Sequence, residues 1–178
     1  MTKQPKQKKK NLYLIGMMGT GKSVVGRIVA EKLGLSFLDS DHEIEEQTGL
    51  SINEIFTDFG EEKFREMEHS FVVQGHESEG NLISCGGGLC IAEGMLEQLK
   101  EKGLVICLWA SPATILSRTQ ADSNRPLLKV DSPLAEIERI LAQREKRYLG
   151  ADKVLSTDNR SIEQVARLVV EFYSDQTS

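Results

Sequence analysis

The stretch Gly16-Met17-Met18-Gly19-Thr20-Gly21-Lys22-Ser23 satisfies the pattern G-x-x-x-x-G-K-[ST] and restricts the possible folds more than any other part of the chain. It follows a short apolar run, Leu12 to Ile15, and precedes Val24, Val25, Ile28, Val29 and Leu33, which recur at helical spacing up to Gly34. Strand, glycine loop and helix in that order are the context in which this pattern is a phosphate-binding P-loop. Glycines let backbone N–H groups turn inward around phosphate oxygens, and the helix amino terminus adds a partial positive charge. In this reading Lys22 neutralises the β and γ phosphates, and the Ser23 hydroxyl is a ligand of the Mg²⁺ that arrives with the nucleotide.

Four further apolar runs follow, at Leu35 to Leu38, Leu82 to Cys85, Leu104 to Trp109 and, more weakly, Lys153 to Ser156. Helical patterns separate them, over 61–79, 133–148 and 161–173. Strands that are continuous apolar runs, alternating with helices, predict a five-stranded parallel sheet in a three-layer αβα sandwich. Ligands of such sheets gather at the carboxyl ends of the strands, so Gly16, Asp39 and Gly86 should converge. Residues 120–130 are polar, fit neither period and read as a loop.

A chain of 178 residues suits one domain with a sizeable core. Its 22 basic and 27 acidic residues are unevenly placed, because Lys3, Lys6, Lys8, Lys9 and Lys10 all fall in the first ten positions. Residues 1–10 read as a disordered basic tail, and the body over 11–178 carries 17 basic against 27 acidic residues, a net −10. That acidity argues against nucleic acid or an anionic membrane as partner, since both need a positive surface. No stretch approaches the ~18 consecutive apolar residues of a membrane helix. Cys85, Cys90 and Cys107 form no CxxC pair, which points to reduced, buried thiols in a cytoplasmic protein. His42, His69 and His76 have no metal-site spacing.

A P-loop specifies a nucleoside triphosphate and little more. None of the five asparagines is followed by lysine, so the Asn-Lys-x-Asp segment of a guanine-selective protein is missing. Asp39 and Asp41 follow the second strand, and alternate side chains of an extended chain share a direction. One carboxylate can hold the metal through water while the other accepts the proton of an attacking hydroxyl. Alternatively, Ser40 or Asp41 merely caps a helix starting near Glu43. Gly86-Gly87-Gly88 permits close approach of a substrate to bare backbone, or is simply a flexible loop. All nine arginines lie in the acidic body, and Arg65, Arg125 and Arg144 stand in a helix, the polar loop and a long helix respectively. A forked guanidinium suits carboxylate or phosphate, although a helical arginine is more often solvated or paired with a neighbouring acid.

Taken together, GMMGTGKS, DSD at 39–41, SINEIF at 51–56, GEEKFREME at 60–68, GGG at 86–88 and NRPLL at 124–128 resemble the shikimate kinases, in the right order over nearly the whole chain after the tail. The resemblance implies a P-loop kinase fold and transfer of the ATP γ-phosphate to the 3-hydroxyl of shikimate, in the pathway to aromatic amino acids. By resemblance, Asp41 binds substrate hydroxyls and is the general base, while Ser23 and Asp39 are the Mg²⁺ positions. Arg65, Gly87 and Arg144 match shikimate-binding positions, the arginines holding its carboxylate. Gly19, Thr20, Gly21, Lys22, Ser23 and Val24 match the ATP cradle. Arg125 matches a lid arginine closing over the phosphates, Arg118 a further phosphate-contacting arginine, and Arg160 a position near adenine or ribose. A substrate-binding segment is implied at about 41–80 and a mobile lid at about 115–130, which excludes water as competing nucleophile. A monomer is expected. The alternatives are another small-molecule P-loop kinase, for gluconate or a nucleotide, which has no need of two arginines around one carboxylate, and a non-catalytic nucleotide-binding module.

Overall fold

A computed structural model describes residues 9–120 and 130–178. Five strands, β1 (Asn11–Ile15), β2 (Ser36–Asp39), β3 (Asn81–Ser84), β4 (Gly103–Trp109) and β5 (Lys153–Ser156), form one sheet in the order β2-β3-β1-β4-β5. Every pairing is parallel. The central strands β1, β3 and β4 are buried on both faces because their residues alternate between two cores, while the edge strands β2 and β5 are partly exposed. From β1, Leu12 and Leu14 join Val25, Val29, Val165 and Val169 on one side, while Tyr13 and Ile15 join Phe71, Leu99, Ile115 and Ile140 on the other. Period-two alternation thus supplies two apolar faces from one apolar run.

Helices α1 (Lys22–Leu33) and α7 (Ile162–Thr177) cover the first face. The second is covered by α3 (Ile52–Gln74), α4 (Met95–Lys102), α5 (Pro112–Thr119) and α6 (Pro133–Leu149), with a short 3₁₀ turn at Leu89–Ile91. Helix α2 (Ser40–Thr48) packs with the start of α3 over a small third core of Ile44, Ile55 and Phe64. Local chemistry sets the helix starts. Ser51/Glu54 and Ser161/Gln164 form capping boxes, and Ser111 caps α5 ahead of Pro112.

Two expectations need correction. The helix expected over 61–79 starts after the break at Gly60 as expected but ends at Gln74, and a helical stretch over 52–59 that was not expected precedes it. Two helical stretches run together there across Gly60, whose φ of 82° and ψ of 171° belong to a region open in practice only to glycine. The cap of α2 is Asp39, whose side chain accepts from the Asp41 amide, so neither Ser40 nor Asp41 is the cap. Of the segment 115–130 expected as a lid, residues 115–119 belong to α5, with Ile115 and Thr119 buried. Residues 121–129, which include Arg125, lie outside the described residues, as do residues 1–8 of the basic tail.

Candidate active site

The loop after β1 closes over its own lysine. Lys22 Nζ donates to Gly16 O at 2.8 Å and to Met17 O at 3.0 Å. Gly16, Gly19 and Gly21 all have positive φ, which lets the loop point amide groups into the space a phosphate would fill. Thr20 is buried and ties its hydroxyl to Met17 O at 2.8 Å, bracing the loop. Val24, in the first turn of α1, is exposed. Burial pushes the Lys22 amine below its ordinary range, against the pull of Asp41 and Asp39.

Asp39 and Asp41 do meet at this loop, but by a different geometry from the extended one. Asp39 ends β2 and Asp41 sits in the first turn of α2, its amide donating to Asp39 Oδ1 at 3.3 Å. Ser23 Oγ donates to Asp39 Oδ2 at 2.8 Å. Hydroxyl and carboxylate oxygens beside a phosphate loop are the hard donors Mg²⁺ prefers, and this ion takes only one or two protein ligands alongside phosphate and water. Among the described residues no cluster of three or more His, Cys, Asp or Glu forms a metal cage.

The triple glycine lies against Asp41, Arg65 and Glu68. A methyl at Gly86 would come within 3.1 Å of Glu68 Oε1 and 3.2 Å of Asp41 Cγ, and one at Gly88 within 2.6 Å of both terminal nitrogens of Arg65. Gly86 N donates to Ser40 Oγ at 2.8 Å, while Gly87 O accepts from Tyr148 Oη at 2.7 Å and from Arg144 at 3.2 Å. Arg65 and Arg144 therefore flank one glycine turn, beside the P-loop.

Two buried carboxylate oxygens here, Asp41 Oδ1 and Glu68 Oε1, have no hydrogen-bond partner among the described residues. Burial, reinforced by Asp39 and opposed by Lys22, raises Asp41 to about 6. Burial raises Glu68 to about 7 despite Arg65, which donates to its Oε2 at 2.5 Å. An acceptor left unsatisfied in a polar cleft is costly until a ligand supplies a donor. The arrangement can thus take a hydroxyl at Asp41, an anion between Arg65 and Arg144, and a polyphosphate at the loop.

Arg118 and Arg160 lie on the opposite side of the loop. Arg118 donates to Thr157 Oγ1 at 2.8 Å, Thr157 O at 2.9 Å and Gly19 O at 3.3 Å. Arg160 donates to Ser156 O at 2.5 Å. These bonds hold Arg118 at the rim near 156–160, so reaching a terminal phosphate would require it to exchange them. Glu68, Ser40, Tyr148 and Ser84 are site residues that the sequence reading missed. Only Glu68 carried a local signal, its i,i+3 spacing from Arg65.

Known proteins resemble this chain in sequence and fold. The sequence model of the shikimate kinase family matches residues 18–174. A shikimate kinase of Thermodesulfovibrio yellowstonii is 40% identical over 164 residues, spanning 92% of this chain and 95% of its own. The structure of the Acinetobacter baumannii shikimate kinase in complex with shikimate superposes with a TM-score of 0.88 at 36% identity, covering 94% of each chain. A gluconokinase from Sinorhizobium meliloti gives a TM-score of 0.60 at 14% identity over 94% of this chain and 93% of its own, a likeness of fold alone.

Proposed function

The chain belongs to the shikimate kinase family, and from that premise we propose how its own residues transfer the γ-phosphate of ATP to the 3-hydroxyl of shikimate. The observation that carries the assignment is the pairing of Arg65 and Arg144 around the glycine turn with the unsatisfied Asp41 carboxylate beside it. A ring carrying both a carboxylate and hydroxyls satisfies both groups at once, which a nucleoside monophosphate does not; gluconate carries the same groups on an open chain, and the assay below separates the two acids.

In this mechanism the two arginines grip the shikimate carboxylate, and Asp41 accepts a hydrogen bond from the 3-hydroxyl. The hydroxyl oxygen attacks the γ-phosphorus in line. The new O–P bond forms as the bond to the β,γ-bridging oxygen breaks, ADP leaves, and the hydroxyl proton passes to Asp41. Lys22 gives up its contacts with Gly16 and Met17 carbonyls to meet the phosphates. Ser23 and Asp39 would hold Mg²⁺, which when bound neutralises charge on the β and γ phosphates. Arg118 and Arg160 meet the nucleotide from the rim, and Arg125, by family resemblance, closes from the lid. Residues 11–178 act as one kinase domain, with 41–80 as the substrate-binding segment and about 115–130 as the lid.

Among the described residues no helix is long and apolar enough to cross a membrane. The three cysteines are buried and unpaired, which supports the cytoplasmic setting. Burial lifts Cys90 and Cys107 to about 12, so they are inert fillers of the core.

The test is ADP release from Mg·ATP with shikimate, gluconate or nucleoside monophosphates. Shikimate alone is expected to accelerate it. Equal release with and without shikimate would reject the assignment, and acceleration by gluconate would favour the sugar-kinase reading.

A further inference from the structure

Ser84 ends β3 in a run that is otherwise apolar, and it is 1% exposed. A hydroxyl buried to that degree needs a partner. Its place in the sheet supplies one. Ser84 pairs in register with Asp39 on β2 and Leu14 on β1, and it shares a face with Leu82, the face that α1 covers. This sets Ser84 Oγ beneath the first turn of α1, 3.2 Å from Ser23 Oγ.

The direction of that hydrogen bond follows from counting protons. The single hydroxyl proton of Ser23 goes to Asp39 Oδ2 at 2.8 Å, and a carboxylate oxygen only accepts. The Ser84 hydroxyl must then donate to Ser23 Oγ. Ser23 Oγ has two lone pairs, and the bond from Ser84 occupies one of them, which leaves the other free. We propose that Ser84 is a positioning residue for the cation site, locking the Ser23 hydroxyl rotor between Asp39 and itself so that one lone pair is presented to the metal before nucleotide arrives. The chain Ser84 to Ser23 to Asp39 removes the rotational freedom that a lone serine would lose on metal binding. This rests on the assignment of Ser23 and Asp39 as the Mg²⁺ position.

The test is calorimetric titration of ADP into the protein with Mg²⁺ and with EDTA, for wild type, Ser84→Ala and Ser84→Cys. Cysteine fills nearly the same space but its S–H is a weak donor. Wild type is expected to bind ADP more tightly with Mg²⁺. Both variants should lose roughly tenfold of that gain while keeping wild-type affinity in EDTA. The Mg²⁺ concentration giving half-maximal activity should rise in parallel, with KM for shikimate unchanged. A wild-type Mg²⁺ gain in both variants overturns the proposal. So does wild-type behaviour of Ser84→Cys alone, which would make Ser84 a packing residue, and so does loss of ADP affinity in EDTA. If wild type itself shows no Mg²⁺ gain, the Ser23 and Asp39 assignment fails first.

Discussion

Replacing Gly86 by alanine tests whether the spacing between the glycine turn and Asp41 matters to catalysis or only to packing. Gly86 does not occupy the left-handed region, so an alanine meets no backbone strain there. Its methyl, however, would sit 3.2 Å from Asp41 Cγ and nearer still to Oδ1, where relaxed carbon contacts are about 3.5–4.0 Å. Asp41 cannot retreat freely, since Glu68 Oε1 is 3.1 Å from the same methyl and the Asp41 amide is held by Asp39. The carboxylate must shift by roughly half an ångström to one ångström, and misplacement on that scale costs on the order of a hundredfold in turnover. The P-loop contacts of Lys22 and Thr20 are untouched, so nucleotide affinity should stay near wild type. Coupled measurement of ADP release gives kcat and KM, and nucleotide titration gives the second quantity. A folded Gly86→Ala protein with turnover within about threefold of wild type would refute the claim that Asp41 is fixed by contact with this turn.

With Asp41 raised to about 6, kcat/KM for shikimate is expected to fall on the acid side of that value as the base becomes protonated. Asp41→Asn should lower turnover by roughly a hundredfold or more and abolish that acid limb, and an unchanged limb would assign it to another group. Glu68 has a folded pKa of about 7 against an ordinary 4.5. Its raised value means that stability present below pH 4.5 is lost as pH rises through 7. Thermal melts of Glu68→Gln relative to wild type should therefore improve between about pH 5 and about pH 8, whereas a larger deficit at the upper end would show that the ion pair with Arg65 outweighs burial. Arg65→Ala should weaken shikimate binding, and an unchanged KM for shikimate would remove Arg65 from the carboxylate site.

The central strands were legible because doubly buried strands are written as unbroken apolar runs, the edge strands β2 and β5 more weakly because they are partly exposed, and the P-loop because its spacing is a backbone requirement. Short helices were less so. Helix α2 buries only Ser40 and Ile44 among nine residues, leaving little periodicity to read. The stretch over 52–59 ahead of the break at Gly60 buries only Ile55 and so carries little periodicity, whereas the stretch after it buries Phe64, Phe71 and Val72 and reads as a helix. At the site, Asp41 and Arg65 emerged from motif and resemblance. Tyr148 could not, since its contact with Gly87 joins residues 61 apart in sequence. Ser84 was hidden because a serine in a strand is unremarkable until the register sets it beside Asp39.

The separateness of the third core bears on how the protein breathes. Ile44, Ile55 and Phe64 form a cluster of their own with Leu50, Ile52 and Met67 packed against it, and the Phe56 and Phe64 ring centroids lie 4.9 Å apart across the break at Gly60. So small an apolar cluster makes residues 42–59 a unit whose amides exchange with solvent through local opening, well below the free energy of global unfolding. Asp41 adjoins β2, and Arg65 and Glu68 lie on the part of α3 anchored in the main core by Phe71 and Val72. The opening unit is thus bracketed by Asp41 on one side and by Arg65 and Glu68 on the other, so on the mechanism proposed above its opening would leave those groups in place.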